Sequence, residues 1–312
     1  MNQPRVSIIV LTYNQQATIA RALDSLVSQH CDFTFEIQLT DDCSVDYTAD
    51  ICREYADRYP ELIRFHRNET NLGVVRNYFE TLARCRGELI ADCAGDDCWL
   101  GNDSLQARVD LLDRHPETAL VHAPWLCLDV ATGETSPCGW DEANRPPTNG
   151  RSLLRLLLEH HKPQTIHLST AVYRAEVIRK ALRENPETVY NEEFGCEDLP
   201  VMAALLSVGD AVWYPRPTLL YSVGGRTISR PGDFARSADF YRRSTLATAT
   251  LARTYGVPLA YLRDSLKRLS YFTLTQAIHS GNSQLIKRTA TEFAEAGIPV
   301  SALYRLRLFL KR

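Results

Sequence analysis

The chain contains 312 residues, of which 45% are hydrophobic and 23% are charged, and its formal net charge is −3 at pH 7. Its length exceeds the size at which a single hydrophobic core usually stops growing, so we expect one main domain with appended helices. The small negative charge provides no basic surface of the kind that nucleic-acid-binding proteins carry, so nucleic acid is excluded as an expected partner.

The chain begins with "MNQPRVSIIVLTYN", in which an apolar run of about seven residues has no charged segment or cleavage site ahead of it. We therefore expect a first strand there and no signal peptide. No stretch approaches the roughly 18 consecutive apolar residues that a spanning helix requires. These features predict a cytoplasmic protein, either soluble or peripheral on the inner face of a membrane.

Nine cysteines, an odd number, are scattered through the predicted helices, strands and loops. There is no C-x-x-C motif, and the nearest pair, Cys93 and Cys98, lacks a second pair of ligands at zinc spacing. We expect free, mostly buried thiols in a reducing compartment and no structural zinc site.

The first hundred residues alternate short β-rich runs with segments of helical spacing. The β-rich runs are 6–11, 35–40, 62–66 and 88–92, and the helical segments are 16–28, 47–58 behind Asp46 as a predicted N-cap, and 74–85. Strands that alternate with helices of this length indicate a parallel sheet covered on both faces. We predict an α/β, doubly wound fold.

Polar segments follow three of these strands: "TYN" (12–14), "DDCS" (41–44) and "GDD" (95–97). Ligands of such sheets bind beyond the carboxyl ends of the strands, so we expect the three segments to meet in one crevice. Asp96 and Asp97 would repel each other there unless a cation or a shared proton intervened. Mg²⁺ or Mn²⁺, which bind carboxylate oxygens and substrate phosphates, is the simplest partner. A turn or a helix cap is the alternative role of the pair.

The second half of the chain also shows alternating elements. The pattern predicts a strand at 119–124, an irregular segment at 131–150, a helix at 151–160, a strand at 165–174 and a helix from Ala175. An acidic pair then opens an apolar helix in "EFGCEDLPVMAALLSVG" (193–209). One or two short strands follow, and the chain is predicted to be helical from about Phe234.

Four motifs occur in order: "VSIIVLTYN", "TDDCS", "NLGVVRN" (71–77) and "GELIADCAGDDCW". Together they resemble the nucleotide-sugar-binding half of family 2 glycosyltransferases with the GT-A fold. The resemblance covers residues 5–125 well and 165–230 more loosely. It carries no information about the final eighty or so residues.

The resemblance implies a GT-A domain at 1–230, with a nucleotide-sugar-binding half at 1–125 and an acceptor and catalytic-base half at 126–230, followed by a helical C-terminal extension at 231–312. It also implies an inverting glycosyltransferase that depends on a divalent metal, Mn²⁺ or Mg²⁺. Such an enzyme would move a sugar from a nucleotide-diphosphate donor to a glycan or lipid-linked glycan, in bacterial surface polysaccharide or glycolipid synthesis.

The same resemblance implies that Tyr13 packs on the nucleobase and that Asp42 accepts a hydrogen bond from its ring N–H. Thr12 and Asn14 would shape that pocket, and Arg76 would lie near the nucleotide. From the residues alone, each of these side chains has a structural alternative. Tyr13 is also compatible with core packing, Asp42 with a helix N-cap or turn, and Arg76 with a surface ion pair.

Asp96 and Asp97 match the metal-binding acidic motif of the family. Asp97 would be the direct ligand, and Asp96 would lie nearer the ribose and share in the metal site. Many members have another acidic residue where this chain has Ala94. Asp92 is a candidate substitute, although on a strand we expect it to hydrogen bond nearby backbone.

"CEDL" (196–199) resembles the Glu-Asp motif that lies beside the acceptor in the family. Asp198 would take the proton from the acceptor hydroxyl, and Glu197 would orient it. Because helix N-termini stabilise carboxylates, capping is the alternative role. The segment "YSVGGRTIS" (221–229) resembles the loop that covers the donor. Its candidate lid residues are Gly224, Gly225 and Arg226, and Ser222 and Gly224 replace the Arg and His that many relatives have there.

Two other classes of protein fit part of the pattern. A phospho-acceptor receiver module also gathers aspartates at strand ends, but it needs a reactive lysine and the first hundred residues contain none. A catalytically degenerate member that binds nucleotide sugar or glycan without turnover stays open because of Ala94, Ser222 and Gly224.

The C-terminal segment "SALYRLRLFLKR" (301–312) combines an apolar helical face with four cations and no acid. This pattern is compatible with peripheral contact to an anionic membrane. A helix that packs on the catalytic domain with a solvated basic edge is the alternative. The sequence does not indicate an oligomeric state.

Overall fold

The structure is a computed structural model, which describes residues 3–224 and 232–300. Eleven strands lie in these ranges: β1 (Val6–Thr12), β2 (Phe35–Asp41), β3 (Ile63–Arg67), β4 (Leu89–Ala94), β5 (Cys98–Trp99), β6 (Thr118–His122), β7 (Trp125–Asp129), β8 (Thr135–Cys138), β9 (Val172–Arg174), β10 (Asp210–Trp213) and β11 (Leu219–Val223).

Eleven α-helices lie in the same described ranges: α1 (Ile19–Val27), α2 (Thr48–Arg58), α3 (Val74–Arg84), α4 (Ser104–Arg114), α5 (Gly150–Leu158), α6 (Ala175–Glu184), α7 (Pro186–Val189), α8 (Asp198–Val208), α9 (Phe234–Thr254), α10 (Arg263–His279) and α11 (Ser283–Glu295).

A seven-stranded central sheet has the order β10-β6-β9-β4-β1-β2-β3. β9 is antiparallel to both of its neighbours, and the other pairs of this sheet are parallel. A second sheet has the order β5-β11-β7-β8. The predicted α/β fold with a mostly parallel sheet, helices on both faces and helices at the C-terminal end is therefore confirmed.

Alternate residues of the central strands enter two separate cores. Ile8 and Val10 of β1 enter a core with α1, α2 and α4, which we call the α1-side core. Ile9 of β1 and Ile90 of β4 enter the other, with α3, α5 and α8, which we call the α3-side core. Because both faces of β1 are covered, its sequence is almost continuously apolar and does not alternate.

The C-terminal helices pack into the α3-side core. Leu251 of α9, Leu266 of α10 and Phe293 of α11 all belong to that cluster. The buried Arg242 guanidinium in α9 pairs with Asp239 at 2.7 Å and with Glu292 of α11 at 2.5 Å. The helices that follow residue 233 therefore share a core with the sheet.

Two predicted elements differ from the structure. Only Val172–Arg174 of the predicted strand 165–174 is a strand, because residues 168–170 form a 3-10 turn in which the His167 ring accepts a hydrogen bond from the Ser169 backbone. Such local side-chain bonds compete with strand pairing. The segment 131–150, expected to be irregular, contains the edge strand β8, where Pro137 fits because an edge position needs no second set of backbone bonds.

The expectation that all nine cysteines are free thiols is wrong for two of them. Cys127 and Cys138 form a disulfide, and their Cα atoms are 6.1 Å apart. The antiparallel pairing of β7 with β8 brings the two residues together. The sequence does not show this, because its pattern predicts an irregular segment where β8 lies. The other seven cysteines are free, and four of them are buried.

No helix in the described part of the chain has both the length and the apolar character needed to cross a membrane. The segment 301–312, with its predicted membrane contact, lies outside the described residues.

The disulfide yields a direct prediction. Alkylation of the unfolded protein without reductant should modify seven cysteines, and reduction beforehand should expose all nine; mass spectrometry measures both counts. Because an 11-residue separation closes a short loop, replacing both Cys127 and Cys138 with Ser should lower the free energy of unfolding by about 2–3 kcal/mol. Replacing exposed Ser136 with Ala is the control. Nine modified cysteines without reduction would contradict the disulfide.

Candidate active site

The three polar segments that follow β1, β2 and β4 lie together at one edge of the central sheet. The Asp42 backbone N–H donates to the Thr12 carbonyl oxygen at 2.9 Å, and the Gly95 N–H donates to the Leu11 carbonyl oxygen at 3.0 Å. The Thr18 hydroxyl in turn donates to the Gly95 carbonyl oxygen at 3.0 Å. Parallel pairing of β1 with both β2 and β4 produces this arrangement, since all three carboxyl ends meet at the same edge.

The backbone at this edge contains two residues in left-handed conformations. Asn14 has φ 53° and Cys43 has φ 64°. Asn tolerates this region because its side chain can bond locally, and the Asn14 Oδ1 accepts a hydrogen bond from the Val45 N–H at 2.9 Å. Cys has no such compensation, so its conformation costs about 1 kcal/mol or more. The surrounding hydrogen bonds, such as that from the Asn14 N–H to the Ser44 hydroxyl at 2.8 Å, hold the strained turn.

Tyr13 projects from this edge, and 46% of its surface is exposed. A ring this exposed next to a strand end is available to stack on a planar ligand. Thr12, by contrast, is buried, and its hydroxyl donates to the Gln15 Oε1 at 2.8 Å. The two neighbours therefore differ, because Tyr13 faces solvent whereas the Thr12 side chain is enclosed by the protein.

The Asp42 carboxylate is largely engaged within the protein. Its Oδ1 accepts hydrogen bonds from the Asn68 amide at 2.7 Å and from the Leu72 N–H at 2.9 Å, and its Oδ2 accepts one from the Gly73 N–H at 3.0 Å. A carboxylate has about four acceptor positions, so one remains for a ligand. Arg76, in the first turn of α3, forms an exposed ion pair with Glu80 at 2.7 Å. Arg76 thus forms the surface ion pair that was the alternative to a contact with the nucleotide.

Asp96 and Asp97 occupy the turn between β4 and β5. Asp97 is 1% exposed; its Oδ1 accepts a hydrogen bond from the Ser222 backbone N–H at 3.1 Å. Its Oδ2 is buried and has no hydrogen-bond partner within residues 3–224 and 232–300. Burial, with the Asp96 charge as a second cause, raises the pKa of Asp97 well above its usual value. Burial also raises the pKa of Asp96.

Two residues outside the predicted site, Ser222 and Arg21, complete this corner. The Ser222 hydroxyl donates to the Asp96 carbonyl oxygen at 2.7 Å, and the Arg21 guanidinium donates to that same carbonyl at 3.0 Å and to the Ser222 hydroxyl at 3.1 Å. The Arg21 charge opposes the rise in the pKa of Asp96 and Asp97. From the sequence, Ser222 stands out only as a departure from the family pattern. Nothing in the sequence distinguishes Arg21, because an arginine at this position of α1 is equally compatible with an ordinary solvated residue.

Gly95 is required by close packing in the same turn. A Cβ atom at this position would lie 2.4 Å from the Gln15 Oε1 and 2.9 Å from the Thr12 side chain. Any larger residue would therefore push the acidic turn away from the end of β1.

Glu197 and Asp198 lie at the start of α8, an apolar helix that is buried on nearly all sides. The Asp198 Oδ1 accepts a hydrogen bond from the Leu199 N–H at 2.7 Å. Burial is the main cause that raises the pKa of Glu197, and the charge of Asp198 raises it further. Burial raises the pKa of Asp198 as well. Both side chains keep partial solvent exposure, as a site open to a ligand requires.

The predicted lid is only partly described. Gly224 has φ 96°, a conformation that favours glycine, and it ends β11 next to Ser222 and Val223. Gly225 and Arg226 lie outside the described residues.

The acidic pair fits a divalent cation. A buried carboxylate oxygen without a partner is costly, and Mg²⁺ or Mn²⁺ prefers such hard oxygen ligands. Within residues 3–224 and 232–300, however, no group of three or more His, Cys, Asp or Glu side chains could hold a metal ion. Asp96 and Asp97 would therefore need oxygens from a ligand or from water to complete a coordination shell.

Residues 7–182 match the model of the family described as Glycosyl transferase family 2. Because this match covers more than half of the chain, the protein belongs to that family. An uncharacterized Mycobacterium tuberculosis protein, Rv1520, is 43% identical over 138 residues, which are 43% of this chain and 40% of the relative. The chain thus spans less than half the length of this curated relative.

Poly(ribitol-phosphate) beta-N-acetylglucosaminyltransferase TarS of Staphylococcus aureus is 29% identical over 119 residues, or 38% of this chain and 20% of TarS. A crystal structure of TarS residues 1–349 with UDP-GlcNAc has a TM-score of 0.64 at 20% identity, covering 95% of this chain and 82% of that one. The structure of the mannosyltransferase PcManGT of Pyrobaculum calidifontis in complex with GDP-Man and Mn²⁺ has a TM-score of 0.52 at 16% identity. The match covers 100% of this chain and 80% of the PcManGT chain. At these identities the solved structures show a shared fold alone.

The packing around Gly95 yields a prediction. Gly95→Ala should leave the fold intact at a cost of about 1–3 kcal/mol, because only one turn must move. It should weaken UDP or GDP binding roughly tenfold or more, equivalent to about 1.4 kcal/mol, since the acidic turn is displaced; isothermal titration calorimetry measures this. Adding Gln15→Ala removes the closest clash and should restore part of the affinity. Equal affinity of Gly95→Ala and wild type would show that the turn does not contact the nucleotide.

Proposed function

We propose that this chain is a metal-dependent, inverting glycosyltransferase that moves a sugar from a nucleotide-diphosphate donor to a hydroxyl acceptor. The observation that carries the proposal is the buried, unpartnered Oδ2 of Asp97 beside Asp96, at the carboxyl ends of parallel strands in a family 2 chain. The acceptor would be a glycan or lipid-linked glycan, in surface polysaccharide or glycolipid synthesis. The similarity to TarS, a poly(ribitol-phosphate) beta-N-acetylglucosaminyltransferase, supports that context.

The donor would bind along the edge formed by β1, β2 and β4. The domain boundaries would be those that the sequence predicts, after residues 125 and 230. Support comes from the exposed ring of Tyr13, which offers a stacking surface, and from the acceptor position that Asp42 retains. Thr12 and Asn14 would shape this pocket, while Arg76 would have to leave Glu80 to approach the nucleotide. TarS has been crystallised with UDP-GlcNAc and PcManGT with GDP-Man, so the nucleobase stays open.

Asp97, together with Asp96, would hold Mn²⁺ or Mg²⁺. When bound, the metal supplies positive charge that offsets the charge building on the leaving nucleoside diphosphate. The Mn²⁺ in PcManGT supports this assignment. Arg21 would hold the turn in place through the Asp96 carbonyl and Ser222, without contacting the donor itself.

Asp198 would accept the proton of the acceptor hydroxyl as that oxygen attacks the anomeric carbon from the face opposite the diphosphate. The bond between the anomeric carbon and the diphosphate oxygen breaks, so the configuration inverts. The Asp198 Oδ1 accepts a hydrogen bond from the Leu199 N–H, and Oδ2 would take the proton. Its raised pKa makes it a stronger base than an ordinary carboxylate, and Glu197 would orient it.

A binding protein without turnover is the second candidate. The observation in its favour is the incomplete acidic motif, since Ala94 provides no carboxylate and one oxygen of Asp198 is already engaged by the Leu199 N–H. Peripheral membrane contact through residues 301–312 also stays a prediction. Binding of a nucleotide sugar without release of nucleoside diphosphate, across a panel of donors and acceptors, would favour this second candidate.

The metal assignment predicts the behaviour of Asp97→Asn. The variant should lose the Mn²⁺-dependent part of UDP or GDP binding, measured by calorimetry with and without Mn²⁺. Its thermal stability should be equal to or higher than that of the wild type, because the substitution removes a buried negative charge. Asp103→Asn, at an exposed acid paired with Arg216, is the matched control. Unchanged Mn²⁺-dependent affinity would remove Asp97 from the metal site.

The base assignment predicts the behaviour of Asp198→Asn. This variant keeps the shape of the side chain but cannot accept a proton, so transfer should fall by about 10²–10⁴ while donor affinity stays nearly unchanged. The assay is release of nucleoside diphosphate from the donor that thermal shift selects. Glu193→Gln, at an exposed acid in the same segment, should keep wild-type turnover. If Asp198→Asn also keeps it, the base lies elsewhere, and Glu197→Gln becomes the variant of interest.

A further inference from the structure

Asp92 lies in the middle of β4, the central strand of the large sheet, with only 5% of its surface exposed. Side chains alternate along a strand, so Asp92 faces the same side as Ile90, which belongs to the α3-side core. It is paired with Ile9 of β1, which also faces that core. A carboxyl group therefore occupies a position where the neighbouring residues are apolar.

Neither carboxyl oxygen of Asp92 has a partner with hydrogen-bond geometry in residues 3–224 and 232–300. In the same ranges, no Lys, Arg or His nitrogen lies within 4.0 Å of it. An unpaired buried carboxylate is so unfavourable that the group stays protonated instead. Accordingly, burial raises the pKa of Asp92 to about 7. The sequence-based expectation that Asp92 bonds to backbone is therefore wrong.

Two tyrosines on other elements face this carboxyl group. Tyr78 of α3 and Tyr173 of β9 are both buried, and their hydroxyls hydrogen bond to each other at 2.6 Å. They offset part of the rise in the pKa of Asp92, Tyr173 more than Tyr78. The β4–β9 pairing sets Tyr173 opposite Ile90, on the face that Asp92 shares.

The start of α8 completes this cluster. Phe194 and Leu199, which flank the Glu197–Asp198 pair in the chain, pack in the same core as Tyr78 and Tyr173. The negative charge of Asp92 contributes to the raised pKa of Glu197, and Glu197 contributes to that of Tyr78.

The groups that face Asp92 are thus Tyr78 and Cys85 at α3, Tyr173 of β9, and Glu197 before α8, with apolar Ile9 on the β1 side. None of them is a cation.

We propose that Asp92 is a positioning residue for the Glu197–Asp198 pair: backed by Tyr78 and Tyr173 in the interior, its carboxyl group places a negative charge near the pair when it ionises, and so makes the pair bind its proton more tightly. Loss of the Asp92 proton would place a second negative charge near Glu197 and oppose ionisation of the pair. This inference rests on the proposed function, in which the pair serves as the catalytic base. It assigns the reason why a carboxyl group, and not an apolar residue, occupies the central strand.

Asp92→Asn tests the proposal because it fixes the neutral form with nearly the same shape. In the wild type, Asp92 binds its proton more tightly when folded than when unfolded, so stability should be lost as pH rises from about 4 to about 7. The variant lacks this contribution, so its unfolding midpoint relative to that of the wild type should rise over this interval and level off above pH 7. Asp57→Asn, at an exposed acid on α2, is the control and should follow the wild-type curve. Identical curves for Asp92→Asn and wild type would overturn the proposal.

Titration of the pair itself tests the coupling without an activity assay. Carboxyl infrared bands that disappear in Glu197→Gln report ionisation of Glu197, and in Asp92→Asn this ionisation should move to lower pH. The acid limb of kcat/KM should move in the same direction. Because a purely structural role of Asp92 would move neither signal, an unchanged titration would overturn the proposal even if stability changed.

Tyr173→Phe provides a second variant that keeps the carboxyl group. Without the hydroxyl that favours ionised Asp92, the loss of stability should extend to higher pH; an unchanged profile would argue against the cluster. Failure of the base assignment is distinguishable, since Asp198→Asn would then keep turnover while the infrared shift in Asp92→Asn remained. Loss of that shift, with Asp198→Asn inactive, would overturn the Asp92 inference alone.

Discussion

The hydrogen bond from the Ser222 backbone N–H to the Asp97 Oδ1 joins the two sheets of this protein at its candidate site. It fixes the end of β11 against the turn that follows β4, and the Arg21 guanidinium braces both sides of the contact. Because one carboxylate oxygen is committed to this bond, the other is left buried and without a partner among the described residues. The same contact therefore holds β11 against the acidic turn and leaves the Asp97 Oδ2 as the buried acceptor of the site.

The backbone at this edge of the sheet is strained or tightly packed at several positions near Asp97. Cys43 adopts a left-handed conformation that suits it poorly, and Gly95 is packed so tightly that a methyl group would not fit. Strain of this kind persists only where the surroundings over-determine the backbone, and it concentrates at sites that bind or react. Here the paired parallel strands β1, β2 and β4 provide that surrounding structure.

A second acidic region lies behind the first, between β4, α3 and the start of α8. Burial is the main cause that raises the pKa values of Asp92, Glu197 and Asp198, and the Arg21 charge beside Asp96 and Asp97 is not among the causes that act on them. Replacing such groups by apolar residues would stabilise the fold, so their presence calls for a functional reason. The proposed glycosyl transfer would provide one, since it would need a base close to neutral pH on the acceptor side of the site.

The sequence by itself determined the alternation of strands and helices, the mostly parallel sheet and the convergence of "TYN", "DDCS" and "GDD". These features depend on hydrophobic period and on the rule that carboxyl ends of parallel strands meet, and both are local or generic. The motifs also sufficed to indicate the family.

Only the tertiary structure decided which side chains are free to act. Asp42 and Arg76 have partners at Gly73 and Glu80, and Arg21 reaches Ser222 from 201 positions away in the chain. The Cys127–Cys138 disulfide and the burial of Asp92 beside Tyr78 and Tyr173 were likewise hidden, because both depend on strands and faces that meet only in three dimensions. Hydrogen bonds and burial between distant segments leave no periodic signal in a single sequence, which is why these features could not be predicted from it.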